Sequence, residues 1–154
     1  MALEPLETAE GSDYPYCRQL SVFFENRVGQ LLRLTRLFEG EAVHILGISV
    51  DSTIDCAIVR LIVDDPDTAA QMLRDAGFAV SITEMIVVEL PPGKRGIMTL
   101  CAALISGEVN INYVYPLIAT VERPSCLAVH VDHLAQAAAT LIKRRFRVLD
   151  ETDL

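Results

Sequence analysis

Hydrophobic and polar residues alternate along short segments of the chain and then change to a helical spacing. Residues 19–24 alternate as the residues of a half-buried strand do. A polar turn follows, and after it apolar side chains recur at helical spacing: Leu31, Leu34, Leu37 and Phe38. Arg33 and Arg36 fall on the opposite side of this helix, and Gly40 is a suitable residue to end it.

The next segments predict a hairpin and a second helix. Residues 43–50 and 56–63 are rich in β-branched side chains, and the polar residues between them suit a turn. Asp64 is predicted to begin a helix that ends at Gly77, and a last strand covers residues 78–83. The predicted order is therefore strand, helix, strand, strand, helix, strand.

The chain then repeats this order. Residues 61–80 align without a gap on residues 129–148, with these identities: Val63 with Val131, Asp64 with Asp132, Ala69 with Ala137, Ala70 with Ala138, Leu73 with Leu141, Phe78 with Phe146 and Val80 with Val148. Upstream, Gly29 meets Gly96 and Leu37 meets Leu104. Glycines, an aspartate and a phenylalanine that recur in the same order indicate a duplication.

The repeated order predicts an α+β protein of two tandem ferredoxin-like (βαββαβ) units, each with an antiparallel sheet and its helices on one face. We place the units at residues 17–83 and 84–150. Residues 1–16 are predicted to be a flexible acidic tail, and residues 151–154 a second tail. Pairing of the units, and of two chains in a homodimer, would cover the sheet edges.

Composition narrows the choice of partners. The 154 residues carry a net charge of −8 and are 51% hydrophobic. This charge argues against nucleic acid or an anionic membrane as partner, although Lys143, Arg144, Arg145 and Arg147 form a local basic group. The sequence contains neither an apolar run long enough for a membrane span nor a signal peptide, so we expect a cytoplasmic protein. The four cysteines are widely spaced and are predicted to be small buried hydrophobes.

Catalysis, metals and cofactors find little support in the sequence. A candidate set of metal ligands consists of His130, Asp132 and His133. However, Asp132 matches the predicted helix start at Asp64, so we interpret it as a helix cap. Cys126 and His130 lack the group that would orient a catalytic base. The segment PPGKRG lacks the spacing of a nucleotide-binding loop. We therefore predict no enzyme activity, no metal and no cofactor.

Both copies place a polar, basic turn with a glycine before their first helix. The turns are Asn26-Arg27-Val28-Gly29 and Gly93-Lys94-Arg95-Gly96. Free backbone N–H groups at a helix start attract carboxylates, and glycine permits close approach of a ligand. The alternative is that the glycines only permit the turns and that Asn26 caps its own helix. The joint occurrence of both turns favours binding.

These residues resemble a known family. The run LSVFFENRVGQLLRLTRLF with the hairpin VHILGISVDS is similar to an ACT domain, a small regulatory module of amino-acid metabolism. VVELPPGKRGIMTLCAALISGEVNINYVYPL resembles a second one, and together they cover residues 17–149. The resemblance implies binding of a free amino acid at the interface between paired units, without catalysis by the module.

The resemblance also implies which residues bind. The first turn and the start of the second strand of a paired unit would form one site: Asn26, Arg27, Val28, Gly29, Gln30 and Leu31 with Asn110, Ile111, Asn112 and Tyr113. The reciprocal, second site would use Gly93, Lys94, Arg95, Gly96 and Ile97 with His44, Ile45 and Leu46. The family often has proline where Val28 and Arg95 stand here, and Gly93 replaces the asparagine of the first copy. We therefore favour the site at Asn26.

The leading hypothesis is a regulatory or sensor protein that acts through a partner, with a biosynthetic enzyme as candidate, or through a change of oligomeric state. Two alternatives stay open. The first is a regulatory small subunit of acetolactate synthase, which shares a similar opening SVFFENRVGQL. The second is a structural dimerisation module without a ligand. The apolar residues near the first site lean toward an amino acid with an apolar side chain.

Overall fold

A computed structural model describes residues 14–154, so residues 1–13 of the predicted acidic tail lie outside the described part. The first unit contains three complete strands, two helices and the beginning of a fourth strand. Its elements are β1 (Cys17–Glu25), α1 (Gln30–Arg36), β2 (Ile45–Ser52), β3 (Cys56–Val63), α2 (Pro66–Asp75) and the first part of β4 (Ala79–Glu89).

The second unit repeats this order, and a short last strand completes it. Its elements are the remainder of β4, α3 (Gly96–Ser106), β5 (Ile111–Pro116), β6 (Cys126–Val131), α4 (Leu134–Lys143) and β7 (Val148–Leu149). A short 3₁₀ helix, Glu151–Asp153, follows where the sequence predicts a tail. Glu151 there accepts a hydrogen bond from Arg18 Nε at 2.7 Å. The C-terminus is therefore tied to β1.

One antiparallel sheet joins the two units. Its strand order is β2-β3-β1-β4-β6-β5, and β7 pairs with β4 on the remaining side. Residues 79–85 of β4 pair with β1, whereas residues 86–89 pair with β6. A single strand therefore serves as the last strand of the first unit and the first strand of the second. The tandem ferredoxin-like fold is confirmed, and the predicted boundary at 83/84 falls inside this strand.

The sheet curls until its two outer strands meet. Gly47 of β2 forms an antiparallel bridge with Leu117, and Ile118 donates a backbone hydrogen bond of 2.7 Å to the carbonyl of Leu46. The edges of β2 and β5 are thus partly covered within one chain. Edge coverage, which was our reason to predict a homodimer, is in part satisfied without a second chain.

Three clusters of buried apolar side chains stabilise this arrangement. The first lies under α1 and α2 and includes Leu20, Leu34 and Leu61. The second lies under α3 and α4 and includes Ile86, Leu104 and Leu141. The third, which we call the junction core, includes side chains from strands of both units: Cys17, Ile62, Met85, Val87, Tyr115, Leu117, Cys126, Ala128 and Leu149. It packs the two units against each other.

Asp64 and Asp132 do not cap helices, which corrects the prediction. Asp65 caps α2 by accepting from Thr68 N, and His133 stands at the start of α4 without a side-chain cap. Instead, Asp64 accepts a hydrogen bond from the backbone N–H of His44 at 2.8 Å. Asp132 accepts equivalently from Asn110 N at 3.1 Å. The repeated aspartate therefore fixes the residue that precedes β2 or β5.

Replacing Asp64 with alanine should lower the free energy of unfolding by about 1–2 kcal/mol at pH 7, since His44 loses a charged acceptor. Burial would raise the pKa of Asp64, but hydrogen bonds from the backbone and ring of His44 outweigh it, and the pKa is lowered. Stability from a lowered pKa is present above the unfolded value and is lost as pH falls through the folded value. Urea titrations at pH 7 and pH 3 should show the cost of Asp64→Ala shrinking in acid.

The exposed Asp55 provides the control for this comparison. Asp55→Ala should leave stability nearly unchanged at both pH values. A cost of Asp64→Ala that stays equal at pH 7 and pH 3 would contradict the proposed role of the carboxylate.

The cysteine prediction holds in part. Cys17 and Cys126 are buried, but Cys101 is half-buried and Cys56 is exposed at the start of β3. All four are free thiols. Within residues 14–154, none of the helices has the length and apolar composition needed to cross a membrane.

Candidate functional site

The first turn, residues 26–31, lies against the β2–β3 hairpin. Asn26 Nδ2 donates to the carbonyl of Thr53 at 2.7 Å, and Asn26 N donates to the carbonyl of Asp55 at 3.1 Å. Gly29 stands before α1 in the left-handed region, with φ 86°, and has no side-chain cap. Asn26 therefore does not cap its helix. It fastens the turn to the hairpin.

The remaining side chains of the first turn face solvent. Arg27 is ion-paired with Glu25, and both side chains are mostly exposed. Val28 is fully exposed and Leu31 partly so. The short helix α1 begins at Gln30. The turn thus presents the apolar side chains of Val28 and Leu31 to solvent, while its basic side chain, Arg27, is already paired with Glu25.

The predicted partner segment, residues 110–113, is ordered by its own hydrogen bonds. Asn110 Nδ2 donates to Asn112 Oδ1 at 3.1 Å, and Asn112 Nδ2 lies 2.9 Å from Nδ1 of His130. The strand register shifts between Ile111 and Tyr113, and Ile111 packs against the core of the second unit. This irregularity directs Tyr113 to the junction between the units.

Tyr113 connects the two units. Its hydroxyl accepts a hydrogen bond from Gln19 Nε2 of β1 at 2.9 Å. Its ring stacks on the imidazole of His130 with centroids 4.7 Å apart, and the guanidinium carbon of Arg60 lies 4.3 Å from its centroid. Burial and the nearby positive charge of Arg60 lower the pKa of His130. His130 is thereby favoured in its neutral form.

The curled sheet places the two predicted halves of the first site at the same end. β2 and β5 run antiparallel at the Gly47–Leu117 bridge, so the end of β2 lies on the side where β5 begins. Asn26 donates a hydrogen bond to the hairpin turn that follows β2. Near the end of β2, Oδ2 of Asp51 lies 3.7 Å from Nη1 of Arg60. Arg60 in turn contacts Tyr113. Within residues 14–154, no hydrogen bond joins residues 26–31 directly to residues 110–113.

The second turn has different neighbours from those expected. A cavity of about 610 Å³ lies beside it, lined by residues 89–94, Gly96, Ile97, Pro124 and Ser125. His44 is paired instead with Asp64 at 2.8 Å, and Leu46 packs against the junction core. The opposite side of this cavity is thus the β5–β6 connection rather than His44, Ile45 and Leu46.

Gln19 and Arg60 are the residues of this region that the sequence reading missed. Gln19 has no exposed surface, and Arg60 is the one charged residue in the apolar run of β3. A charge within a strand that is otherwise apolar was the available signal. Its meaning depends on Tyr113, which lies far away along the chain.

The described residues contain no group of three or more His, Cys, Asp or Glu side chains that could bind a metal ion. The three residues considered as metal ligands in the sequence, His130, Asp132 and His133, do not converge on one site. His130 contacts Asn112 and Tyr113, Asp132 binds the backbone of Asn110, and His133 begins α4.

Comparison with known proteins finds similarity over most of the described chain. A family model described as "ACT domain pair" matches residues 16–154. The crystal structure of protein BT0572 from Bacteroides thetaiotaomicron is 26% identical, with a TM-score of 0.82, and the alignment covers 91% of this chain and 96% of that one. No curated protein matches the chain.

A ligand-free regulatory subunit of aspartate kinase from Thermus thermophilus has the same fold. It is 12% identical with a TM-score of 0.58, and the alignment covers 88% of this chain and 96% of that one. The corresponding subunit from Thermus flavus is also 12% identical, with a TM-score of 0.53 and coverage of 85% and 93%.

Proposed function

The chain belongs to the ACT domain pair family, and on that premise we propose that it is a regulatory or sensor protein that binds a free amino acid between its two units. The proposed site combines the first turn, residues 26–31, with the start of β5, residues 110–113. The observation that supports it is the curl of the sheet, which brings both segments to one end of the molecule.

The chemistry at this end suits a zwitterion. Besides their bonds to Thr53, Asn110 and His130, the amide groups of Asn26 and Asn112 keep hydrogen-bonding capacity for a carboxylate or an ammonium group. Asp51 and Arg60 add one charge of each sign. The exposed Val28 and Leu31 offer apolar surface to a side chain, so we favour an amino acid with a branched or otherwise apolar side chain.

We propose that the bound amino acid changes the relative position of the two units. The first turn belongs to the first unit and the start of β5 to the second, so a ligand bound by both segments contacts both units at once. The signal would pass to a partner, with a biosynthetic enzyme as the candidate, or to a second copy in a homodimer. Regulatory subunits of aspartate kinase share the fold, and this likeness makes an enzyme partner a reasonable first choice.

Isothermal titration with each of the twenty amino acids, at concentrations that detect millimolar affinity, tests the proposal. We expect heat from one amino acid or from a small group of related ones. Absence of heat with all twenty would refute amino-acid binding and favour a structural dimerisation module.

Asn26→Ala should weaken binding of the amino acid identified in this way about fivefold, which corresponds to about 1 kcal/mol for one hydrogen-bonding group. The variant loses the bond to Thr53, so its thermal unfolding must be recorded beside its affinity. Gln71→Ala, which removes an exposed amide from α2, is the matched control and should bind as the unchanged protein does. Unaltered affinity in Asn26→Ala would move the site away from the first turn.

A further inference from the structure

We propose that Arg60 binds the carboxylate of the ligand and that Asp51 receives its ammonium group, where the two units meet. This inference rests on the proposed amino-acid binding. Neither residue belongs to the first turn or to the start of β5. Arg60 lies in the middle of β3 and Asp51 near the end of β2, on neighbouring strands of the first unit.

The first argument is that the guanidinium of Arg60 is largely shielded from solvent and lies near Asp51, yet donates no hydrogen bond within the described residues. Its side chain is only 17% exposed. Within residues 14–154 its guanidinium makes no hydrogen bond, and the nearest carboxylate oxygen, on Asp51, is 3.7 Å away. A buried charge is costly unless it is paired and hydrogen-bonded. The guanidinium therefore retains donors for a carboxylate.

The second argument is orientation. The guanidinium carbon lies 4.3 Å from the centroid of the Tyr113 ring, and His130 stacks on that ring within 8° of parallel. The ring of Tyr113 therefore contacts both groups. The tyrosine is itself held by Gln19. A guanidinium placed in this way has its N–H groups at a fixed position, where a carboxylate can accept two of them side by side.

The third argument is the position of Asp51. Its side chain is 69% exposed, so it can accept a hydrogen bond from a ligand without leaving Arg60. An α-amino acid carries its carboxylate and ammonium groups on one carbon atom. A cation and an anion 3.7 Å apart match that pair of opposite charges.

The second unit has no counterpart of Arg60. When the gap-free alignment is extended by one residue toward the N-terminus, Arg60 corresponds to Ala128, which has no exposed surface and packs in the junction core. The equivalent place in the second unit is therefore closed and apolar. A ligand at Arg60 would contact β3 of the first unit and lie next to Tyr113 of the second, so its binding would depend on how the units are arranged.

Titration calorimetry with each of the twenty amino acids and with each corresponding carboxamide tests this assignment. The carboxamide keeps the ammonium group but lacks the carboxylate, so it should bind at least about tenfold more weakly than the amino acid. Arg60→Met should weaken binding of the amino acid by a similar factor and leave the affinity for the carboxamide nearly unchanged. Arg60→Lys should recover only part of the loss, since lysine lacks the planar pair of donors.

Arg33→Met is the matched control. The Arg33 guanidinium also stacks on an aromatic ring, 4.5 Å from the centroid of Phe78, but it donates to the carbonyl of Ala76 at 2.6 Å. Its loss should leave amino-acid affinity unchanged. Equal binding of an amino acid and its carboxamide, or unaltered affinity in Arg60→Met, would overturn the role of Arg60 while leaving amino-acid binding intact. If the unaltered protein gives no heat of binding with any of the twenty amino acids, both proposals are wrong.

Discussion

Gln19→Leu should lower the free energy of unfolding by about 3 kcal/mol, because it leaves two tyrosine hydroxyls at the junction without their partner. Gln19 is fully buried, and its side chain lies between the units. Its Nε2 donates to the hydroxyl of Tyr113 at 2.9 Å, and its Oε1 accepts from the hydroxyl of Tyr115 at 2.7 Å. Leucine has a similar size, so the cost comes mainly from lost hydrogen bonds.

A double-mutant cycle separates this cost from poor packing. Tyr115→Phe removes the buried hydroxyl that Gln19 accepts from, and Gln19→Leu with Tyr115→Phe removes both members of the pair. The double variant should be less destabilised than the sum of the single variants, since Tyr115 no longer leaves a buried hydroxyl donor without its acceptor. Burial also raises the pKa of Tyr115, so its hydroxyl stays protonated and remains a donor at neutral pH.

Urea titrations at pH 7 measure all three variants. Gln71→Leu, on the exposed surface of α2, is the matched control and should change stability little. Strict additivity of Gln19→Leu and Tyr115→Phe would contradict the proposed hydrogen-bonded pair. A loss well below 1 kcal/mol for Gln19→Leu would show that water replaces the missing partner.

The duplication made most of the fold predictable. Two copies of each segment allowed weak signals, such as the strand at residues 78–83, to support each other. The same comparison misread Asp64 and Asp132, since an aspartate before a helix usually caps it. The adjacent Asp65 provides the cap of α2 instead, and only the structure shows that Asp64 binds the backbone of His44.

The arrangement of the two units could not be predicted in the same way. It depends on contacts between residues far apart in the chain, such as Gln19 with Tyr113 or Leu46 with Ile118. Periodicity describes which face of a strand is apolar, but not which strand of another unit covers it. In the sequence, Arg60 is only a lone charge in an apolar strand. The structure shows that its guanidinium lies beside the ring of Tyr113.

The two repeated glycines illustrate this limit, and they lead to a prediction about the turns themselves. Gly29 has φ 86°, and an added Cβ atom would meet nothing within 4 Å. Gly96 begins α3 without the left-handed conformation, but an added Cβ atom would lie 2.5 Å from the backbone oxygen of Pro91. The same residue in the same place of the repeat is thus required for two different reasons.

Gly96→Ala should lower the free energy of unfolding by about 3 kcal/mol, because a clash with backbone cannot be relieved by rotating a side chain. Gly29→Ala should cost about 1 kcal/mol, the usual penalty for alanine in the left-handed region. Urea titration of both variants measures this difference, and a larger loss for Gly29→Ala would refute it. Gly96→Ala should also displace Pro91 and so change the cavity beside the second turn, whereas Gly29→Ala alters only the turn proposed to bind the amino acid.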